Sequence, residues 1–305
     1  MNRFRFGVNF RAADIGDWAE ESRRTEAMGY DTLVAPDHLG HPSPFGMLAA
    51  AAVATGRVRL GTLVLNNEFW NPALLAREAA TVDRLSGGRL ELGLGLGHMK
   101  SEFDAAGIPW RGHAERLAAL EASLDALDAL FAGEAVPGGQ EPEPVQKPRP
   151  PLLIGGHGPA TLRLAARRAD IIGFGGLRQR RGARMGVFDI DGPEEVLRRV
   201  DLVREEAGGR AADLEFNVLV QSVVVTGDAE REAARLAERY AGGGGLDTPA
   251  DVMASPFVLV GTVDEIAAEL LAARERYGFS YVTVHGESRE ELARVIPRVR
   301  ELAGE

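Results

Sequence analysis

Short apolar runs alternate with longer amphipathic segments along the chain. Most of the short runs are nearly continuous in Val, Ile, Leu and Gly, which is typical of parallel strands that helices cover on both faces. We therefore predict eight strands, at Phe4–Phe10, Asp31–Asp37, Val58–Leu65, Leu90–Leu96, Pro151–Gly155, Asp170–Phe174, Leu214–Thr226 and Tyr281–His285.

The longer segments predict helices because their apolar residues recur at helical spacing. In Glu115–Phe131, for example, the leucines and Phe131 fall on one stripe. Pro72 stands in the first turn of another predicted helix, where its missing N–H costs nothing. The predicted helices are Asp14–Met28, Pro44–Thr55, Pro72–Leu85, Glu115–Phe131, Pro159–Arg168, Pro193–Glu206, Ala229–Tyr240, Val263–Tyr277 and Glu290–Leu302.

Two helix starts carry the spacing of a capping box, in which two side chains bond reciprocally to backbone N–H groups. Thr262 stands three residues before Glu265, and Ser288 stands three residues before Glu291. We therefore expect one helix to begin after Thr262 and another after Ser288.

Eight successive strand-then-helix units predict an α/β protein, a (β/α)8 TIM barrel with insertions at its C-terminal face. The competing fold is a doubly wound open sheet, which usually has fewer strands. We expect residues 1–305 to form a single barrel domain.

Three connections are too long for plain turns between elements. Gly133–Pro150 is rich in Pro, Gly and Glu, and we expect it to wrap the bottom of the barrel. Gly176–Asp191 carries four arginines. Gly242–Pro256 opens with four glycines and is predicted to be a mobile lid.

The composition narrows the classes of function. Of 305 residues, 35 are Lys or Arg and 45 are Asp or Glu, which gives a formal charge of −10. This balance argues against a general binder of nucleic acid or of an anionic membrane, because both need a net basic face. The absence of Cys excludes disulfides, zinc–thiolate sites, iron–sulfur clusters and a cysteine nucleophile. Without a signal-peptide core or a membrane-spanning apolar run, we expect a cytoplasmic protein with a small-molecule substrate.

Four of the six histidines follow the carboxyl ends of predicted strands, where the active sites of (β/α)8 barrels lie. These histidines are His38, His98, His157 and His285. The other polar residues at this edge are Asn9, Asp37, Asn66, Asn67, Ser101 and Glu102. A packing role is the competing interpretation for any single histidine, but the set favours a site.

A metal centre is not predicted. Barrel hydrolases commonly carry His-x-His on the first strand, whereas that strand here reads Phe-Gly-Val-Asn-Phe. The carboxylates that would suit Mg²⁺ are limited to Asp37 and Glu102.

Two glycine-rich segments leave room for a ligand. After the fifth predicted strand, glycines precede Pro159, so a helix N-terminus can meet a phosphate, although a tight turn needs the same glycines. Alternating glycines on Leu90–Leu96 clear space above that strand. A flat ring system would fit there, and the competing interpretation is a crowded barrel layer that needs small residues.

Several motifs, in order along the chain, resemble those of the luciferase-like flavin and deazaflavin oxidoreductases. The most specific is DRLSGGRLELGLGLG at Asp83–Gly97, followed by Glu102 and Gly107–Pro109. The others are Asp37–His38, Gly61–Leu65, Asn71–Pro72, Arg77–Asp83, Gly155–Asp170 and Gly261–Glu265. The resemblance covers essentially the whole chain and is specific for the family, though not for a substrate.

The resemblance implies a (β/α)8 barrel that binds FMN or the deazaflavin coenzyme F420 in its mouth, and usually a homodimer. It implies an Asp-His pair, matched by Asp37–His38, and a non-proline cis peptide at Leu63–Val64. The glycine-rich turn after the fifth strand would hold the cofactor phosphate. The cofactor-binding residues that we expect are Asp37, Leu63, Val64, Asn66, Leu96, Gly97, Ser101, Gly156, His157, Gly158, Ala160 and Thr161.

The chain departs from the family pattern after the fourth strand. Some sugar-phosphate dehydrogenases of the family have a Glu proton donor where this chain has His98, and Asn where it has Ser101. A sugar-phosphate substrate is therefore not expected. We predict that His38 and His98 are the catalytic residues, because imidazole suits acid–base chemistry near neutral pH.

These features together predict a coenzyme F420-dependent oxidoreductase that transfers a hydride between the deazaflavin and a small organic substrate. The anionic tail of this coenzyme needs a basic contact, for which Arg178–Arg184 is the candidate and a solvated loop the alternative. The alternative functions are an FMN-dependent luciferase-like monooxygenase using reduced flavin and O2, a metal-dependent hydrolase and a non-catalytic cofactor carrier.

Overall fold

The computed structural model describes residues 2–10, 15–134, 142–180, 182, 188–240 and 244–305. Its strands are β1 (Arg5–Asn9), β2 (Thr32–Ala35), β3 (Arg59–Thr62), β4 (Leu65–Asn66), β5 (Leu90–Gly95), β6 (Leu152–Gly155), β7 (Ile171–Phe174), β8 (Leu177–Gln179), β9 (Phe188–Ile190), β10 (Glu215–Val220), β11 (Ser222–Val225), β12 (Val258–Gly261) and β13 (Phe279–His285). Its helices are α1 (Trp18–Ala27), α2 (Pro44–Ala54), α3 (Pro72–Leu85), α4 (Lys100–Ala106), α5 (His113–Phe131), α6 (Pro159–Arg168), α7 (Pro193–Ala207), α8 (Ala229–Tyr240), α9 (Pro249–Ala254), α10 (Val263–Tyr277) and α11 (Arg289–Ala303). No described helix has the length and apolar character needed to cross a bilayer.

The main sheet closes on itself. Its nine strands follow the order β3, β2, β1, β13, β10, β7, β6, β5, β4, and β3 also pairs with β5. The pairs β2–β3, β5–β6 and β10–β13 are parallel. The predicted (β/α)8 barrel is therefore confirmed, and the open doubly wound sheet is wrong.

The chain divides into two compact units. The amino-terminal unit comprises Asn9–Gly156 and Arg168–Ile171, and the carboxy-terminal unit comprises Met1–Val8, His157–Arg167 and Ile172–Glu305. The expectation of a single domain over residues 1–305 stays a prediction.

In the amino-terminal unit, Arg89, which lies in the glycine-rich motif just before β5, makes hydrogen bonds to several backbone segments. Its guanidinium donates to the carbonyls of Ala52, Thr55, Val58 and Ser86, all between 2.7 and 3.0 Å. Burying a charged group is tolerated when its donors are satisfied in this way. Arg89 therefore ties the end of α2 to the start of β5.

In the carboxy-terminal unit, the run predicted as one strand over Leu214–Thr226 is two strands. β10 pairs with β13 in the barrel, whereas β11 pairs with β12 in a separate two-stranded sheet. The change of partner occurs at Gln221, whose side chain donates to the carbonyls of Gly175 and Leu219. A continuous apolar run contains no sign of such a change, because both halves are equally suited to a sheet.

The two predicted capping boxes differ. Thr262 caps α10 and exchanges hydrogen bonds with Glu265, as predicted. α11 begins after Ser288, as predicted, but Ser288 makes no side-chain cap there, so the capping box itself was wrong. Its hydroxyl instead accepts a hydrogen bond from the backbone N–H of Val223 on β11.

The long connections contain more structure than predicted. The described part of Gly133–Pro150 reaches the amino ends of β3 and β5, where Gln146 donates to Leu90 and accepts from Arg59. Gly176–Asp191 contains the antiparallel hairpin of β8 and β9. Gly242–Pro256 contains α9, and the mobility of this segment stays a prediction.

Candidate active site

Three histidines of the amino-terminal unit lie together beyond β2 and β5. The His38 ring lies 5.5 Å from the His41 ring and 5.6 Å from the His98 ring, in edge-to-face arrangements. We call His38, His41 and His98 the three-histidine cluster. His38 Nδ1 lies 3.0 and 3.1 Å from the two carboxylate oxygens of Glu102 on α4. The structure thus brings both predicted catalytic histidines together and adds His41 and Glu102.

Asp37 is fixed beside this cluster. Its Oδ2 accepts hydrogen bonds from the backbone N–H of Asn66 at 3.1 Å and from Trp70 Nε1 at 2.9 Å. Burial raises the pKa of Asp37, and these hydrogen bonds only partly oppose the rise. Burial therefore disfavours the ionised form of Asp37, while the two hydrogen bonds hold its carboxyl group in a fixed position. Perturbed pKa values of this kind are common at functional sites.

The two neighbours of His38 are biased toward their neutral forms. Burial and then repulsion by His38 lower the pKa of His98, and the same two causes lower the pKa of His41. Glu102 opposes the effect at both rings. His98 as a whole remains exposed, so water reaches part of its surface and limits the shift.

The loop that carries His98 is held by Arg116. The guanidinium donates to the carbonyls of Leu96 and Gly97 and lies 4.0 Å from the centre of the Trp110 ring. Gly97 has a φ of +69°, and a Cβ there would collide with the side chain of Asn66. Leu96 and Gly97 therefore lie in a loop that fits tightly against Asn66 at the end of β4, and all three are predicted cofactor residues.

Four buried polar atoms in this unit have no hydrogen-bond partner. They are Asn9 Oδ1, His41 Nδ1, Asn67 Oδ1 and Glu68 Oε1. Within the described part of the amino-terminal unit these are all the buried side-chain atoms in that condition, and they follow the carboxyl ends of β1, β2 and β4. Because buried polar groups are nearly always bonded, their concentration at one edge points to a ligand there.

The glycines of β5 do not leave the open space that we predicted. A Cβ on Gly93 would collide with the Thr62 carbonyl, and a Cβ on Gly95 would lie 2.7 Å from Val64 Cγ2. Gly155 faces the same Val64 side chain. The crowded-layer interpretation is therefore correct for these glycines. The Leu63–Val64 peptide bond is cis, as the family resemblance implies.

The glycine-rich turn has the predicted form. β6 ends at Gly155, and α6 begins at Pro159 after Gly156, His157 and Gly158. Within the carboxy-terminal unit, Thr161 is buried in the first turn of α6, and Ala160 is exposed. The turn therefore presents a helix N-terminus, the feature that binds anions.

Two other residues that the sequence placed at this edge, Ser101 and His285, are not part of the three-histidine cluster. Ser101 is exposed at the start of α4. His285 lies in the carboxy-terminal unit, with its Nε2 3.3 Å from the side-chain oxygen of Gln221. The described residues contain no group of side chains suited to a metal ion.

The two arginines of Gly176–Asp191 that the structure describes, Arg178 and Arg180, already have acidic partners. Arg180 bonds to Asp189 at 2.7 Å, Arg178 lies 3.4 Å from Asp191, and Arg199 is bonded to Asp191. We call these five residues the paired cluster. The pairing weakens the proposed contact with an anionic tail, while Arg181 and Arg184 lie outside the described residues.

Sequence reasoning missed His41 and Arg116 as contributors to this region, and it took Trp70 only as a candidate for an apolar pocket or for packing. His41 follows His38 by three residues, which was a usable signal. Arg116 offered none, because its partners are carbonyl groups from a loop twenty residues earlier. Glu102 was noted as a polar residue at this edge, as a motif residue and as a metal candidate, but not as the partner of His38.

Comparison with known proteins relates this chain to a family. A family model described as luciferase-like monooxygenase matches residues 4–251. An F420-dependent glucose-6-phosphate dehydrogenase from Nakamurella multipartita is 34% identical over 185 residues, which are 54% of this chain and 54% of that protein. A protein of the same name from Kribbella flavida is 30% identical over 249 residues, 75% of this chain and 71% of that protein.

The alignment thus spans about half the length of the first of these relatives. Among solved structures, a monooxygenase from Streptomyces bottropensis superposes with a TM-score of 0.73 at 25% identity. That superposition covers 97% of each chain.

Proposed function

Because the chain belongs to the luciferase-like monooxygenase family, a family of enzymes, we propose that it is a coenzyme F420-dependent oxidoreductase. We propose that it transfers a hydride between the deazaflavin and a small organic substrate. The observation that carries the proposal is the set of unpartnered buried polar atoms, which lie at the edge where Asp37 and the three-histidine cluster are fixed. The names of the two glucose-6-phosphate dehydrogenases support the choice of cofactor.

The residues present fit such a cofactor. Asn9, Asn67 and Glu68 have buried oxygens that lack a donor, and a heteroaromatic ring with N–H groups supplies donors. Within the carboxy-terminal unit, Gly158 and Thr161 at the N-terminus of α6 would suit a phosphate group. When bound, the deazaflavin supplies hydride transfer at a ring carbon.

The chain itself would manage the proton. A hydride added to a carbonyl carbon leaves an oxygen that needs a proton, and the reverse reaction releases one. His38 would give or take this proton, with Asp37 orienting the bound molecules beside it. His98 is the second candidate for the same role, since its ring lies 5.6 Å from that of His38.

Tryptophan fluorescence tests the cofactor assignment. Trp70 donates to Asp37 in the site, whereas Trp18 donates to the Met47 carbonyl in the core. We expect coenzyme F420 to quench the fluorescence with a dissociation constant at or below about 1 µM. The quenching should persist in Trp18→Phe and fall in Trp70→Phe. A rise in melting temperature with added cofactor gives an independent reading.

An FMN-dependent monooxygenase is the second candidate. The specific observation in its favour is the structural match to the Streptomyces bottropensis monooxygenase at 25% identity. Binding of FMN alone in the same titration, with O2 consumed when reduced flavin is supplied, would replace our proposal by this one. If neither cofactor binds below about 1 µM, both proposals fail.

We also propose that the protein works as a homodimer in the cytoplasm, without a nucleic-acid or membrane partner. The net charge of −10 supports the last two points. Light scattering of the purified protein tests the dimer, because a monomer mass at micromolar concentration would contradict it.

A further inference from the structure

We infer that Glu102 is a positioning residue that fixes the tautomer of His38 within the three-histidine cluster, so that Nε2 is the atom of His38 that exchanges a proton. The inference rests on the proposed function only where it predicts turnover. It concerns which nitrogen of which imidazole carries a proton, a property of the protein that exists before any cofactor binds.

The geometry fixes the tautomer of His38. Both oxygens of Glu102 lie within 3.1 Å of Nδ1, and an ionised carboxylate only accepts hydrogen bonds. Nδ1 therefore carries a hydrogen in the neutral ring as well as in the charged ring. Nε2 becomes the one atom of His38 that gains or loses a proton.

Glu102 is available for this task because nearby cations have other partners. Lys100 bonds to both oxygens of Asp104, and Arg116 bonds to backbone carbonyls and stacks on Trp110. Among the described residues, His38 is the hydrogen-bond partner of the Glu102 carboxylate. The side chain of Glu102 is only 15% exposed, so water screens the pair weakly.

Burial and charge oppose protonation of the two neighbours of His38. Asp37 and Glu102 are the acids that face the cluster, and Arg116 faces His98. Burial and repulsion by His38 lower the pKa of His41 and of His98. Nδ1 of His38 lies 3.0 Å from the Glu102 carboxylate.

In the proposed reaction the proton is accounted for at each atom. The N–H bond at His38 Nε2 breaks as an O–H bond forms on the substrate oxygen. The ring is left neutral, with its Nδ1–H still donated to Glu102. In the reverse direction the substrate O–H bond breaks and Nε2 takes up the proton. Groups that orient a histidine in this way typically change activity by about 10–100-fold.

The test combines Glu102→Gln with Asp104→Asn as a matched control. Both positions are acidic residues on α4, but Asp104 pairs with Lys100 on the exposed side. Nitrogen-15 NMR of labelled histidine in the cofactor-free protein reports the tautomer of His38, which His38→Gln assigns. We expect the Nδ1–H form in the wild type and in Asp104→Asn, and a mixture of tautomers in Glu102→Gln.

Kinetics supply the second reading. We expect kcat to fall about 10–100-fold in Glu102→Gln, with KM changed less than about threefold, and Glu102→Asp to recover part of kcat. Cofactor affinity should stay unchanged, which shows that Glu102→Gln is folded. An unchanged His38 tautomer in Glu102→Gln, or an unchanged kcat, would overturn the inference.

The two proposals fail separately. If the tautomer changes as expected but coenzyme F420 neither binds nor supports turnover, the positioning role stands and the proposed function falls. If coenzyme F420 supports turnover and the tautomer does not depend on Glu102, the function stands and the positioning role falls.

Discussion

The three-histidine cluster and the paired cluster are both groups of titratable side chains, yet their partners differ. In the paired cluster, every arginine that the structure describes has a carboxylate partner, and Asp191 is almost fully buried against Arg199. In the three-histidine cluster, His41 Nδ1 is buried without a hydrogen-bond partner. Asp191 Oδ1 also lacks a hydrogen bond, but it lies 3.4 Å from the guanidinium of Arg178, so the paired cluster balances its charges within itself. The open nitrogen of His41 has no such charged partner at hydrogen-bond distance among the described residues, which leaves it available to a ligand.

The largest expected effect is a loss of turnover when His38 is removed from the three-histidine cluster. We expect His38→Ala to lower kcat by about 10²–10⁴-fold, since a positioned acid–base group contributes that much. Steady-state kinetics with coenzyme F420 measures the effect. His113→Ala, at the exposed start of α5, is the matched control and should retain full turnover. Normal turnover by His38→Ala would remove the histidine from the reaction.

The next effect concerns the paired cluster. We expect Asp191→Asn to lower the free energy of unfolding by about 3 kcal/mol, because it leaves the largely buried Arg199 without its main charge partner. Urea unfolding measures the loss. Asp201→Asn, which breaks an exposed pair with Arg204 on the same helix, should cost less than about 1 kcal/mol. Affinity for coenzyme F420 should not change in Asp191→Asn, and a loss of affinity would show that the paired cluster binds the cofactor.

The smallest effect compares two carboxylates of the amino-terminal unit. Burial alone would raise the pKa of Glu26, but hydrogen bonds from the backbone of Val58, Arg57 and Gly56 lower it. A lowered pKa in the folded state gives stability that is present above the ordinary carboxyl pKa and is lost as pH falls through the folded value. Asp37 has the opposite shift, so its contribution falls as pH rises.

We therefore expect Glu26→Gln to be less stable than the wild type at pH 7, by less than about 1 kcal/mol. The difference should shrink as the pH falls below about 4. Melting curves of both proteins between pH 3 and 7 measure it. Glu20→Gln, on the same helix but paired only with exposed Arg23, should show a smaller difference at every pH. A difference for Glu26→Gln that grows toward low pH would contradict the assignment.

The sequence predicted those elements whose signals are local. Pro72–Leu85 and Val263–Tyr277 have the predicted bounds, because Pro at a helix start, a cap at Thr262 and an apolar stripe act within a few residues. β12 and α4 were missed, although both are short segments with an apolar or amphipathic pattern. Their assignment depends on which distant partner they meet.

The candidate site divides in the same way. The positions of Asp37, His38 and His98 after strands were enough to predict that they share one edge of the sheet. The contact between His38 and Glu102 spans 64 residues, and no local rule brings them to 3.0 Å. Ser288 has the same kind of long-range partner. Its hydroxyl accepts a hydrogen bond from β11 and does not cap α11, which a local rule would predict.

Arg116 has a consequence for the rate at which a ligand is taken up. Arg116 donates to the carbonyls of Leu96 and Gly97 while it stacks on Trp110. These contacts order the backbone that precedes His98 before any ligand binds. Ordering a loop during association costs conformational entropy and slows the encounter, whereas a loop that is already ordered removes that cost. We therefore expect a ligand that binds at this edge to associate without a slow step in which the loop becomes ordered.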